Sequence, residues 1–179
     1  MGNKRASWFV PLGLSVAMGV ALAVRLALVW TELPEPFASH FGRGGQPDAF
    51  TSKIGFLVAM VVFGGGSVAV VFASPLLLRL APEKLISLPN RDYWLATDER
   101  RNEAMNRLGG VMGWIGAATT ALLVVATELT VRANLERSNL DEATFIAFLA
   151  AYFAFVTVAV VQTFRIFRIP NVSVGPTNG

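Results

Sequence analysis

The chain has 179 residues, 54% of them hydrophobic and 15% charged, with a formal net charge of +3 and a mean hydropathy of +0.54. Its apolar residues are blocked into long runs instead of dispersed at amphipathic spacing, which argues against an ordinary soluble domain. The basic residues form no single patch, so nucleic acid is not an expected partner. The absence of cysteine excludes disulfides, thiolate metal sites and cysteine nucleophiles.

Four runs stand out: Trp8–Trp30, Ile54–Ala73, Leu108–Thr127 and Thr144–Phe164, of 23, 20, 20 and 21 residues. At helical rise, about 20 residues cross the roughly 30 Å hydrocarbon layer. Backbone groups in that layer must pair within their own segment, so each run is expected to be a helix. The reading is an all-α integral membrane protein, a four-helix bundle forming a single domain over residues 1–170. Its helices are expected at about 8–30, 54–73, 97–127 and 144–164, followed by a disordered tail at 171–179.

Ahead of the first run, Met1-Gly2 lacks the hydroxyl residue at position six that myristoylation requires, since Ala6 stands there. Lys4-Arg5, an apolar stretch and Ala21-Leu22-Ala23 imitate a signal peptide, but the run continues unbroken to Trp30, which favours an uncleaved helix. Within that helix, Arg25 lies about 7.5 Å below its outer end. Glu128 closes the third helix at the same level, so Arg25 and Glu128 are a candidate pair; Arg25 reaching alone to phosphate is the alternative.

Between the first two runs lies LPEPFASHFGRGGQPDAF, Leu33 to Phe50, which holds the only histidine. Pro34 and Pro36 stiffen its start. Gly42, Gly44 and Gly45, then Gln46-Pro47-Asp48, supply turn chemistry. His40, Phe41 and Asp48 are thereby fixed near the outer surface. His40 and Asp48 with Glu32 and Glu35 are too few ligands for a structural metal site. Only Ser39, Thr51 and Ser52 stand near as nucleophiles, so no catalytic residue, metal or cofactor is assigned. The simplest role is structural, with His40 bonding the loop and Phe41 and Phe50 dipping into the interface.

In the second run, Gly64-Gly65-Gly66 is a candidate packing site, hinge or dimer seam, and Ser74-Pro75 is expected to kink or end the helix. Further on, Thr97 is a candidate N-cap, with Asp98 and Glu99 placed for the helix dipole. Glu103 and Arg107 follow at i,i+4 spacing, and no breaker separates them from the third run. Gly109, Gly113, Gly116, Ala117 and Thr120 share one face there and suit close helix packing. Trp8, Trp30, Tyr93 and Trp94 are expected near membrane interfaces. Tyr152 and Gln162 are too few for a proton relay. Asn171-Val172-Ser173 forms a glycosylation sequon on the inner side and carries no weight.

Charge sorts by side. With the N-terminus inside, inner segments hold ten basic residues: Lys4, Arg5, Arg79, Lys84, Arg91, Arg100, Arg101, Arg107, Arg165 and Arg168. Outer segments hold four, namely Arg43, Lys53, Arg132 and Arg137. The positive-inside rule therefore places both termini in the cytoplasm.

The pattern LP·P·ASHFG··G·PD··TSK, Leu33 to Lys53, directly after a first apolar helix, resembles the small bacterial domain of unknown function at the N-terminus of SdpI-type membrane proteins. The resemblance spans roughly residues 8–75. LPNRDYWLATDERR, Leu88 to Arg101, resembles a stretch that follows this domain in some relatives. The resemblance implies a multi-pass protein of the bacterial cytoplasmic (inner) membrane. Its matching positions are Pro34, His40, Phe41, Gly45, Pro47, Asp48 and Lys53, with Pro89, Asn90, Tyr93 and Trp94 marking the inner loop. In the best-known relatives the implied roles are immunity to a secreted killing peptide and signal transduction. The C-terminal SdpI segment of those relatives, with its PN···G·R pattern, is not found in this sequence.

The expectation is a non-enzymatic receptor, immunity-like or accessory protein. An outer loop, 33–53, would meet an extracytoplasmic ligand, and an inner loop, 85–107, a membrane or cytosolic protein partner. A homo-oligomer is compatible with it, and the bilayer itself is the one constant partner. The alternatives are a small transporter or channel subunit and, third, a membrane-embedded enzyme using His40 and Asp48.

Overall fold

The computed structural model describes residues 8–169. The expectations placed on Met1-Gly2, Lys4-Arg5, the Asn171 sequon and the tail lie outside those residues. In chain order the elements are α1 (Phe9–Val29), β1 (Phe37–Phe41), β2 (Pro47–Thr51), α2 (Lys53–Leu80), α3 (Arg91–Trp94), α4 (Asp98–Glu136) and α5 (Glu142–Ile166). Four of them, α1, α2, α4 and α5, are long and apolar enough to cross a membrane. The fold is not purely helical: the loop between α1 and α2 is an antiparallel β-hairpin.

The 39-residue α4 organises the rest. It packs against α1, α2 and α5, and these three are joined chiefly through it, with only slight contact to one another. At helical rise it is about 58 Å long, nearly twice a hydrocarbon layer. The sequence expectation ended this helix near Thr127. It continues to Glu136 because Leu129, Val131, Ala133 and Asn134 form a buried face beneath the hairpin. Its start is capped by Thr97, whose hydroxyl accepts from the Arg100 N–H at 3.3 Å. Its end turns through Arg137 in the left-handed region, with the Ser138 N–H bonded to the Ala133 carbonyl at 2.9 Å. That arrangement satisfies carbonyls left open at a helix end.

Small residues set how closely the neighbours approach α4. They divide between two partners, although their spacing had suggested one face. A Cβ on Gly116 would lie 2.6 Å from the Phe72 ring of α2, and one on Gly109 3.7 Å from Pro75. A Cβ on Gly113 would lie 2.9 Å from Pro11 and 3.3 Å from Trp8, at the start of α1. The Gly64–Gly66 run differs from its expected packing role. Gly64 makes only ordinary contact with Leu123, and Gly65 and Gly66 have nothing within 4 Å. Met60–Gly65 is instead a π-helical stretch, a local widening of the helix. It borders an apolar groove of about 360 Å³ between α1 and α2, floored by Thr120, Leu123 and Val124.

Of the two outcomes expected at Ser74-Pro75, a kink or an end, the helix does not end there: α2 passes through Pro75 to Leu80. Proline has no N–H for the carbonyl four residues earlier, which is that of Val71. The Ser74 hydroxyl donates to that carbonyl at 2.7 Å, so the helix continues without an open acceptor.

Two predictions follow from this packing. Gly116→Ala should destabilise the fold by about 1–3 kcal/mol, because the rigid Phe72 ring must shift. Gly66→Ala should be neutral or stabilising by up to about 1 kcal/mol. Denaturant titration of the purified chain in one detergent separates the two. At the start of α5, the Thr144 hydroxyl and N–H hold the Asp141 carboxyl below its ordinary range. A depressed carboxylate contributes stability above its unfolded pKa and loses it as pH falls through the folded value. Asp141→Asn keeps a capping oxygen and should flatten the acid side of the stability profile, measured by thermal unfolding across pH.

Candidate functional site

The hairpin lies across the ends of three helices. Gly44 and Gly45 both adopt positive φ, +73° and +72°, to make its connection. The Gly42 N–H closes it on the Gln46 carbonyl at 2.8 Å. A side chain at Gly45 would run into the carbonyl oxygen of Leu140, whose N–H donates to the Gly45 carbonyl at 2.8 Å. Glycine is therefore required there both for conformation and for close approach. The tip of the hairpin is thus bonded to the α4–α5 connection.

The base of the hairpin is held by residues from further away. The Glu35–Pro36 peptide is cis, and Pro34 is half-buried while Pro36 is exposed. Phe37 is wholly buried, with its ring 4.6 Å from that of Phe56 on α2. The Lys53 ammonium donates to the carbonyls of Trp30 at 3.1 Å and Leu33 at 3.4 Å, and lies 5.4 Å from the Trp30 ring. A cation at these carbonyls answers the negative end of the α1 dipole. Arg25 Nε lies 3.4 Å from a Glu128 carboxylate oxygen, and the other oxygen lies 3.4 Å from Arg132 Nε. This links α1 to α4 just below the hairpin.

The central anchor is Asn134, a residue that sequence reasoning missed. Its carboxamide oxygen accepts from the Ala38 N–H at 2.7 Å, and its NH2 donates to the Ala38 carbonyl at 2.9 Å. The same NH2 reaches the Thr130 carbonyl at 2.9 Å. The amide thus pairs with β1 as a neighbouring strand would. The only signal in the sequence was a polar residue on what proves to be the buried face of an apolar helix, and its partner lies 96 positions earlier.

His40 and Asp48 form an exposed polar pair on the hairpin. His40 Nδ1 lies 2.5 Å from Asp48 Oδ1, and both side chains are at least half exposed. The second Asp48 oxygen rests against Gly42, where a Cβ would lie 2.7 Å away. Phe41 is half-buried and Phe50 exposed, while the aromatic of β1 that packs inside the protein is Phe37. Pro47 opens β2 opposite Phe41. Among the described residues no group of three or more histidine or acidic side chains is arranged to hold a metal.

The second sequence motif gathers at the opposite end of the bundle. Trp94 was expected at an interface and is instead 1% exposed, in a cluster with Ile86, Ala104, Met105, Leu108 and Phe167. Its indole N–H and the Asn90 NH2 both donate to the Phe167 carbonyl at 2.9 Å. Arg107 donates to the Ile166 carbonyl at 2.7 Å, pairs with Glu103 and lies over the Trp94 ring at 4.6 Å. These groups close the C-terminal end of α5. In the same way Arg101 donates to the Ala81 carbonyl at 3.0 Å at the end of α2. Asn90 follows half-buried Pro89 in the left-handed region, which asparagine tolerates. Tyr93 meets Trp94 edge-on at 5.3 Å and lies beneath the Arg100 guanidinium at 4.2 Å.

Both motifs therefore hold helix ends together, and the hairpin also presents the exposed His40–Asp48 pair. Asn134→Ala should leave the buried Ala38 N–H unpaired and cost about 1–3 kcal/mol. Faster amide exchange at Ala38 and proteolysis within the hairpin are the readouts. Trp94→Phe should cost about 1–2 kcal/mol and loosen the end of α5, with the hairpin amides unaffected.

Residues 17–64, from within α1 through the hairpin to the π-helical stretch of α2, match the family model described as a domain of unknown function, DUF1648. The match covers about a quarter of the chain. No curated protein and no solved structure matches the chain.

Proposed function

We propose that this chain is a non-enzymatic, multi-pass protein of the bacterial cytoplasmic membrane whose β-hairpin is an extracytoplasmic recognition element. The observation that carries the reading is the way the hairpin is held. Asn134, Lys53, Phe37 and Gly45 fix its underside to three helices, while His40, Asp48 and Phe50 stay exposed. A preformed loop loses little conformational entropy on binding, and function concentrates on loops positioned by rigid scaffolds.

The orientation rests on the sorting of basic residues, which puts the Trp94 end and both termini in the cytoplasm. The inner loop then contributes mainly by closing the ends of α2 and α5. Its exposed residues, among them Lys84, Arg91 and Asp92, remain as the surface for a cytosolic partner. An immunity-like role is the form of receptor function that the SdpI resemblance suggests. A transport path has less support, since the groove between α1 and α2 is lined almost wholly by apolar side chains. Acid–base catalysis would draw on His40 and Asp48, and among the described residues no serine or threonine hydroxyl is hydrogen-bonded to either.

A cysteine-free background allows a clean test. Ser39→Cys should react with a membrane-impermeant thiol reagent on intact cells, and Ser87→Cys only after permeabilisation. The reverse pattern would overturn the orientation. A photocrosslinking residue at His40 or Asp48 should give a discrete adduct in cells that the same residue at exposed Val158 on α5 does not give. Identical adducts at all three positions, or none, would remove the recognition role.

A further inference from the structure

A seam runs along α4 between α1 and α2. Part of it is the apolar groove of about 360 Å³, walled on α1 from Leu12 to Leu22 and on α2 from Met60 to Phe72. Toward the Trp94 end the seam continues into a second cavity of about 200 Å³, where Trp8, Pro75, Arg79, Asn106 and Gly109 form the walls. The Phe72 ring lines both. A long apolar slot thus ends at a cation.

The slot is kept open by residues that nothing else explains. Gly19 on α1 and Gly65 on α2 stand on its two walls, and a Cβ on either would meet nothing within 4 Å. Glycine weakens a helix. Gly113 and Gly116 are needed for close approach, whereas Gly19 and Gly65 serve neither contact nor a positive φ. The cation at the end of the slot is also unanswered. Arg79 donates to the neutral Asn106 carboxamide, and among the described residues no carboxylate pairs with it. Its neighbour Arg101, which donates to the Arg79 carbonyl at 3.3 Å, has Glu83 at 3.6 Å.

We propose that the seam is a binding site for one phospholipid of the leaflet at the Trp94 end, with an acyl chain in the groove and an anionic headgroup at Arg79. Length and charge identify the occupant. From Leu12 to Leu22 the wall is about 15 Å long at helical rise, half of a roughly 30 Å hydrocarbon layer and so the reach of one leaflet's chains. A helix of a second copy, about 10 Å across, would fill about 1,200 Å³ over that length, several times the groove, and its apolar face would leave Arg79 unanswered. Basic pockets between membrane helices on the inner side suit anionic headgroups. The proposal rests on the membrane reading above and not on the hairpin.

The test uses the full chain in nanodiscs of phosphatidylethanolamine and phosphatidylglycerol, doped with phosphatidylglycerol that carries a diazirine midway along one acyl chain. Photolysis should label Val16 and Val68 in the groove well above exposed Val158 on α5, which reports bulk lipid. Gly19→Leu and Gly65→Leu each fill the groove from one wall, and both should reduce its labelling to the level at Val158. If one of the two fails to fold, the other still decides. Arg79→Gln keeps a side chain able to reach Asn106 but removes the charge. It should lower groove labelling about fivefold, to that given by the same diazirine on phosphatidylethanolamine.

Equal labelling of the groove and Val158 would overturn the proposal by showing bulk lipid only. Groove labelling that survives both leucine substitutions, or that ignores the headgroup and Arg79→Gln, overturns it as well. Disulfide-linked dimers formed through Val16→Cys would overturn it by showing a second copy on the groove. The recognition reading fails separately, by the crosslinks at His40 and Asp48, which this seam does not touch.

Discussion

Everything in this molecule depends on how closely two helices can approach α4. Gly113 admits Trp8 and Pro11 at the start of α1, and Gly116 admits the Phe72 ring of α2. Between long apolar helices, water supplies little driving force if the surroundings are themselves apolar, so close van der Waals contact must do the holding. Because α1, α2 and α5 meet chiefly through α4, each is positioned by its own contact with that helix. The length of α4 then carries the arrangement beyond the apolar zone at both ends, where polar side chains take over.

Those ends share a logic. A helix leaves carbonyls without partners at its C-terminus, and they are costly wherever water cannot reach them. Lys53 answers those after α1, Arg101 those of α2, and Arg107, Asn90 and Trp94 those of α5. Most of these donors come from a distant part of the chain, so each bond also ties one element to another. The same donors that satisfy a helix end therefore hold the bundle together, and the two motif-bearing loops are best understood as its end plates. The hairpin does more than close an end, since it also presents the exposed His40–Asp48 pair.

How much of this was legible in the sequence differs by residue. The long helices could be read from their apolar runs because a helix pairs its backbone locally, and length alone then decides. The hairpin could not. PheAlaSerHisPhe and ProAspAlaPheThr are short, mixed in polarity and irregular in register, and their pairing depends on Asn134, far along the chain. Trp94 was placed at an interface because tryptophan beside a helix end suits one. What determines its position is the Phe167 carbonyl, 73 residues later, which no local pattern reveals. The pairing of His40 with Asp48 has a nearer origin, since a tight turn between them brings the two together. The extent of α4 was underestimated because Glu128 and Arg132 resemble the end of an apolar run, whereas the buried stripe from Leu129 to Asn134 continues the helix.

Ser74 and Pro75 form a unit whose parts cannot be exchanged independently. The ring removes a donor and the neighbouring hydroxyl replaces it at the Val71 carbonyl. A lineage that loses the hydroxyl first strands an acceptor inside an apolar helix, whereas one that loses the ring first regains the ordinary amide and can then spare the hydroxyl. The order of mutational steps through this pair is therefore directional: the imino acid must go before the alcohol.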